Sequence, residues 1–253
     1  MKKLFVSVII FSIAFSSFAN DGTTPKNSPK PMEIRKRKAR PDIPGLLLIE
    51  LGWNVLSGSP DELDVATFGS RTINFYYLYD MPIGNSRFSF MPGIGVGLDR
   101  YKFDNDVTLA SGQDADGNDI VSVVQLSDAL PTGADIQKTQ LISNYIDIPI
   151  EFRYYTNPND RKGSFKIGIG GKVGMRFTSQ TKLKYELDSE NIKTKQKESF
   201  GLNRFRYGVT GRVGIGGFNL FYYQSLSELF ESGEGPLQTD ANNITVGISI
   251  TGF

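Results

Sequence analysis

From residue 45 onward, apolar side chains recur at every second position in eight separate segments. The first apolar face is Leu47, Ile49, Leu51, Trp53 and Val55. The second is Ile73, Phe75, Tyr77 and Tyr79, and the third Phe88, Phe90, Ile94, Val96 and Leu98. The fourth runs through Ile146, Ile148, Ile150, Phe152 and Tyr154, and the fifth through Phe165, Ile167, Ile169, Val173, Met175 and Phe177. Phe205, Tyr207, Val209, Val213 and Ile215 make the sixth. Phe218, Leu220 and Tyr222 make the seventh, and Ile244, Val246, Ile248 and Ile250 the eighth. A period of two is that of a strand with one apolar face; an amphipathic helix would repeat about every 3.6 residues.

The connections alternate in length. Gaps 81–87 and 156–164 and the pair Gly216-Gly217 are short, whereas 57–70, 104–138, 186–199 and 227–242 are long. Short turns at one end and long loops at the other describe an up-and-down antiparallel meander of even strand number, with both termini on the short-turn side. A two-residue hairpin at Gly216-Gly217 would pair Ile215 with Phe218, both on the apolar face, as register requires. The 27 glycines and 30 aromatics suit strands joined by tight turns.

The chain has neither histidine nor cysteine. That removes imidazole bases and ligands, thiolate nucleophiles, disulfides, zinc-thiolate and iron–sulfur sites, and a lipidated N-terminal cysteine. At the N-terminus, Lys2 and Lys3 precede an apolar run from Leu4 to Phe15, with small residues Ser17 and Ala19 behind it. This is the layout of a Sec signal peptide cleaved after Ala19, and the run is shorter than the roughly 20 residues of a spanning helix. Residues 20–44 carry seven basic and three acidic groups and five prolines, with few apolar side chains. They cannot bury a core and read as an extended periplasmic linker. Its run Arg35-Lys36-Arg37-Lys38-Ala39-Arg40 can touch anionic lipid headgroups or remain a solvated tail. Residues 45–253 form the third unit. Nucleic acid is a poor partner for an exported chain.

Alternation alone also fits a soluble lipocalin-like barrel, apolar inside. Two features favour a membrane barrel. The polar face concentrates charge at Glu50, Asp99, Asp147, Glu151, Arg153, Lys166, Lys172, Arg176, Arg204, Arg206 and Arg212. The apolar face has aromatics near both ends: Tyr79, Phe88, Tyr154, Phe165 and Phe218 toward the short turns, Trp53, Phe177, Phe205, Tyr207 and Tyr222 toward the long loops. Two aromatic girdles around an aliphatic band fit two membrane interfaces. No charge falls inside that band, where one Lys or Arg costs about 2–4 kcal/mol; Arg100 has outward parity but sits at the top of its strand. The expected fold is an all-β, eight-stranded antiparallel up-and-down transmembrane β-barrel with short periplasmic turns and long extracellular loops.

Eight strands enclose a space that side chains fill. The inward charges then read as a lumenal network: Glu151 and Asp147 close to Lys172 and Arg176 across the fourth hairpin, Arg212 and Glu50 nearby, and inward glycines leaving room for long side chains. A lined ion path is the functional alternative. Glycine triplets such as Gly93-Ile-Gly-Val-Gly97 lie inside strands with no following helix, so they are not nucleotide loops. Asp114-Ala-Asp116-Gly-Asn118-Asp119 resembles the start of a calcium loop but has Asp119 where glycine is needed and Gln125 where glutamate is needed. A flexible acidic loop is the default there, and no catalytic set, cofactor site or metal site is expected.

The stretch Asn144-Tyr-Ile-Asp-Ile-Pro-Ile-Glu-Phe-Arg-Tyr154, followed by the glycine-rich strand Lys166–Phe177, resembles the PorT-like outer-membrane β-barrel family of Bacteroidota. Phe253 resembles the terminal aromatic signal read by the barrel-assembly machinery, although it is off parity with Ile244–Ile250 and needs a bulge. The resemblance implies residence in the outer membrane among its lipids, and for some members assistance to type IX secretion. Three functions follow as expectations: a non-enzymatic structural or interaction protein with acidic loops as its contact surface, an accessory part of a secretion machine docked by the basic tail to an envelope partner, or a narrow channel.

Overall fold

The structure, a computed structural model, describes residues 45–113, 119–161 and 163–252. The expected signal segment 1–19, the linker 20–44, the calcium-like residues Asp114, Asp116 and Asn118, and Phe253 lie outside the described residues.

Twelve strands follow in chain order: β1 (Gly45–Ser57), β2 (Arg71–Tyr79), β3 (Met81–Pro82), β4 (Phe88–Lys102), β5 (Val107–Gln113), β6 (Asp119–Gln125), β7 (Asp135–Tyr155), β8 (Phe165–Leu187), β9 (Glu190–Gln196), β10 (Phe205–Ile215), β11 (Phe218–Ser225) and β12 (Asn242–Thr251). Eight of them, β1, β2, β4, β7, β8, β10, β11 and β12, pair antiparallel with their sequence neighbours, and β12 returns to β1 with Ile248 opposite Leu51. The sheet is therefore a closed eight-stranded barrel, which leaves no open edge around its wall. Strand β3 is a short annex to β4, β5 and β6 form a separate hairpin, and β9 continues the β8 hairpin above the wall. Gly216, at φ +60°, turns the chain so that Ile215 pairs with Phe218.

Alternation sets the two faces. Leu51, Phe75, Ile94, Ile148, Ile169, Val213, Leu220 and Val246 point outward and are exposed, while Glu50, Asn74, Asp147, Lys172, Arg212 and Thr245 point inward and are buried. A gap in one ladder and two register shifts in another interrupt the pattern, one of the shifts lying between Ile136 and Lys138. The β4–β7 ladder has a gap between Pro92↔Ile150 and Gly95↔Asp147, with the register unchanged across it, beside two prolines that have no N–H for the ladder. A bulge between β7 and β8 shifts the register from Tyr145↔Arg176 to Asn144↔Thr178, inserting Phe177. Below it Lys172 and Gly174 face the lumen; above it Ser179 and Thr181 do, so the bulge inverts the parity of β8.

Strands β7 and β8, of 21 and 23 residues, are about twice the roughly 9–11 residues that a membrane-crossing strand needs. They carry the long-loop end well beyond the aromatic row. There the connecting segments fold together. Leu63 and Val65 from the first connection, Val107 and Leu109 of β5, Phe200 and Leu202 from the third, and Leu229 and Phe230 from the fourth join Tyr101, Phe103 and Leu141 in one buried apolar cluster. Bridges Val65↔Phe103 and Leu202↔Phe230 tie the connections to the strands and to each other. The acidic composition of these segments lies on the outside of a small hydrophobic core.

Candidate functional site

The buried charges of the lumen are organised by two arginines of β10. Each reaches across β8 at a glycine, whose missing side chain opens the way to β7. Arg206 stands opposite Gly174, and Gly174 opposite Asp147. Arg206 Nε donates to Asp147 Oδ1 at 3.0 Å and Nη2 to Oδ2 at 2.6 Å, a bidentate pair. Its Nη1 bonds Asp99, which also accepts from the Thr72 hydroxyl. Tyr76 donates to Asp147 at 2.7 Å, and the guanidinium stacks over Tyr145, 3.8 Å from its ring centre. A Cβ at Gly174 would run into Asp147, and one at Gly97 into Arg206.

The second cluster repeats the device. Arg212 stands opposite Gly168 of β8. Its Nε donates to Glu151 Oε2 at 3.0 Å and its Nη2 to Glu50 Oε1 at 2.7 Å, spanning from β7 to β1 through the lumen. Nη1 donates to Ser249. Arg153 Nε holds the other oxygen of Glu151 at 2.7 Å, and Asn74 holds the other oxygen of Glu50 at 2.7 Å. Between the clusters Lys172 is buried with its ammonium 4.0 Å from the Tyr223 ring centre and 3.3 Å from the Tyr76 hydroxyl. The buried charges are the carboxylates Glu50, Asp99, Asp147 and Glu151 and the cations Arg153, Lys166, Lys172, Arg206 and Arg212. The four carboxylates are tolerable at this depth because each is ion-paired and hydrogen-bonded to an arginine.

Three expected members sit differently. Lys172 makes a cation–π contact rather than an ion pair with Asp147 or Glu151, because those carboxylates face Gly174 and Gly170 on β8 and are taken by β10 arginines. Arg176 lies at the bulge and donates to the Leu202 carbonyl (2.9 Å) and the Ser179 hydroxyl (2.7 Å), bracing the cap. Arg204 precedes β10, is exposed, and lies outside the lumen. The inward partners Thr72, Asn74, Tyr76, Tyr145, Tyr223 and Ser249 were not singled out from the sequence. Their signal is inward parity, but tyrosine occurs on both faces here, so residue type does not reveal it.

The lumen is packed along its length. Cavities beside Arg212 and beside Arg206 measure about 10 Å³ each, close to the room of a single water. At the short-turn end Leu48, Tyr76, Leu78 and Met91 pack as an apolar plug, and Lys166 Nζ donates to the Gly216 carbonyl at 2.5 Å. The apolar cap closes the other end. On the outer wall Trp53, Tyr79, Phe88, Phe165, Phe177, Phe205, Phe218 and Tyr222 are exposed; Tyr154 is half-buried, packed on Phe88 at 5.2 Å and accepting from Arg87 at 3.1 Å. No helix among the described residues is long and apolar enough to cross a membrane.

No curated protein matches this sequence. Among solved structures, the chain is similar to Ail, the attachment invasion locus protein of Yersinia pestis, at 9% identity and TM-score 0.35, covering 82% of this chain and 97% of that one. The same protein in complex with the heparin analogue sucrose octasulfate aligns at 10% identity and TM-score 0.35, with the same coverage. A triple-mutant porin of Rhodopseudomonas blastica aligns at 10% identity and TM-score 0.19, over 82% of this chain and 99% of that one. Residues 49–231, from β1 into the fourth long connection, match the family described as outer membrane protein beta-barrel domain, and the chain belongs to that family.

Proposed function

We propose that this outer-membrane barrel is non-enzymatic and has a filled lumen, and that it serves a structural or protein-interaction role at the cell surface through its folded cap. The observation that carries the reading is the ion-paired charge layer between an apolar plug and an apolar cap, where the cavities beside Arg212 and Arg206 measure about 10 Å³ each. A path for ions needs continuous water, and here Arg206, Arg212 and their carboxylates occupy the cross-section. The protein reaches its place by Sec export, cleavage after Ala19 and insertion by the barrel-assembly machinery. Sequencing the mature N-terminus from purified outer membranes tests the first two steps, with Asn20 as the expected first residue.

Planar-bilayer recording of the full chain tests the filled lumen. Silence at moderate voltage is expected; steady single-channel conductance would replace this reading with the narrow channel. Crosslinking in intact cells from residues introduced in the cap should capture an envelope protein. The PorT-like resemblance of Asn144–Tyr154 supports a second reading, an accessory part of a type IX-like secretion machine. Deleting the gene and comparing secreted proteins tests it, and an unchanged secretome would remove it.

A further inference from the structure

On the outer wall, just above the row of Trp53, the strands carry cations where aliphatic side chains end. Trp53 pairs with Arg71 and Arg71 with Arg100, so the two arginines share the level of an outward tryptophan. Lys102 on β4 and Lys138 on β7 continue upward on the same outer side, and Lys182 of β8 stands near Lys138. With the turn at 66–69, Arg71, Arg100, Lys102 and Lys138 line an open cleft of about 680 Å³. Its lip is Phe68, which is 82% exposed.

The cations of this cleft lack the carboxylate partners that Arg206 and Arg212 have in the lumen; Arg71 Nε donates to the Phe68 carbonyl at 3.4 Å. Among the described residues, none of Arg71, Arg100, Lys102 and Lys138, nor the neighbouring Lys182, makes an ion pair. Asp104 is the one carboxylate in the lining, and Glu186 lies nearby, held by Gln137 at 3.0 Å. Partial burial and then the charges of Lys182, Arg71, Arg100 and Lys102 push the Lys138 ammonium below its ordinary range. Such crowding costs stability unless an anion joins it. The cleft opens directly above the apolar wall of Phe75, Ile94, Val96 and Ile146, all on the outward face of β2, β4 and β7. An anion with hydrocarbon chains fits both surfaces at once.

We propose that this cleft binds the phosphorylated headgroup of an outer-leaflet lipid, with Arg71, Arg100, Lys102 and Lys138 on the phosphate, Phe68 in the interface, and the acyl chains along the β2–β4–β7 wall. The site goes beyond the filled-lumen reading and stands or falls separately from it. Native mass spectrometry of the full chain, released from nanodiscs, tests it with a bis-phosphorylated glycolipid, lipid A, and with the same lipid enzymatically dephosphorylated. The expected result is retention of the phosphorylated lipid and loss of the dephosphorylated one. The variant Arg71→Gln/Lys138→Gln should lower retention about twenty-five-fold, at roughly fivefold per lost cation. Both positions are on the outer side, and heat-modifiable gel migration checks that the variant is a closed barrel. If that double variant does not fold, Lys138→Gln alone serves, with an expected drop of about fivefold. Equal retention of both lipids, or undiminished retention by a folded variant, would overturn the site. Inorganic phosphate in millimolar amounts should leave lipid retention unchanged; displacement of the lipid by it would make the cleft a site for soluble anions and overturn the lipid assignment.

Discussion

Strand β4 passes through two opposite arrangements within a few residues. In its lower half Ile94, Val96 and Leu98 face outward while Gly95, Gly97 and Asp99 face the lumen. Immediately above, Arg100 and Lys102 take the outward side, and Tyr101 and Phe103 go into the cap. Strand β7 makes the same exchange, from outward Ile146, Ile148, Ile150 and Phe152 and inward Asp147 and Glu151 to Lys138 on the outer side and buried Leu141 within. The chain keeps its period of two, and the medium around it changes. Where hydrocarbon surrounds the wall, polar groups pack inside and must match one another. Where water surrounds it, the hydrophobic effect drives apolar groups inward, as in a soluble domain. One barrel therefore contains a membrane core built from ion pairs and a cap built from ordinary hydrophobic packing.

The largest way to break the comparison is in the lumen. Arg206→Leu leaves Asp99 and Asp147 buried without their cation, and should cost about 3–5 kcal/mol. Urea unfolding of the folded barrel, followed by Trp53 fluorescence, should show the midpoint fall; adding Asp99→Leu and Asp147→Leu should recover most of it, because the unpaired charges cause the loss. Next comes the outer wall. Ile148→Arg, on an exposed side chain near the middle of the belt, should cost about 2–4 kcal/mol in a bilayer, with insertion yield as the readout. Leu109→Ala removes a fully buried side chain from the cap and should cost about 2 kcal/mol locally. Limited proteolysis of the connections should accelerate while the barrel's own unfolding midpoint stays put, since the cap can open alone. The smallest effect belongs to Ile120→Lys, exposed on the β5–β6 hairpin in water. It should change stability by less than about 0.5 kcal/mol, against the severe cost of the same kind of change at Ile148.

Much of this was legible because strand pattern is local. Alternation at Leu47–Val55 or Ile146–Tyr154 needs only neighbouring residues to be read, and the Gly216-Gly217 pair sets its own register. Arg100 already marked the upper end of the belt. Pairing inside the lumen was less legible, because it joins residues distant in sequence across an intervening strand. Arg212 meets Glu50 only once β12 has closed on β1, and Arg206 reaches Asp147 only because Gly174 stands between them. Arg176 and Arg204 look like lumen residues by spacing, but a bulge and the start of β10 remove them.

The sequence by itself determined the strand count, the two faces, the alternation of turn and loop, and the absence of imidazole and thiol chemistry, since each depends on residue type and short-range period. Only the tertiary structure decided which carboxylate holds which arginine, that the long connections share one apolar core, and that a row of unpaired cations meets the outer wall. Those features depend on barrel closure and on segments scattered along the chain, such as Leu63, Leu109, Phe200 and Phe230, coming together to escape water.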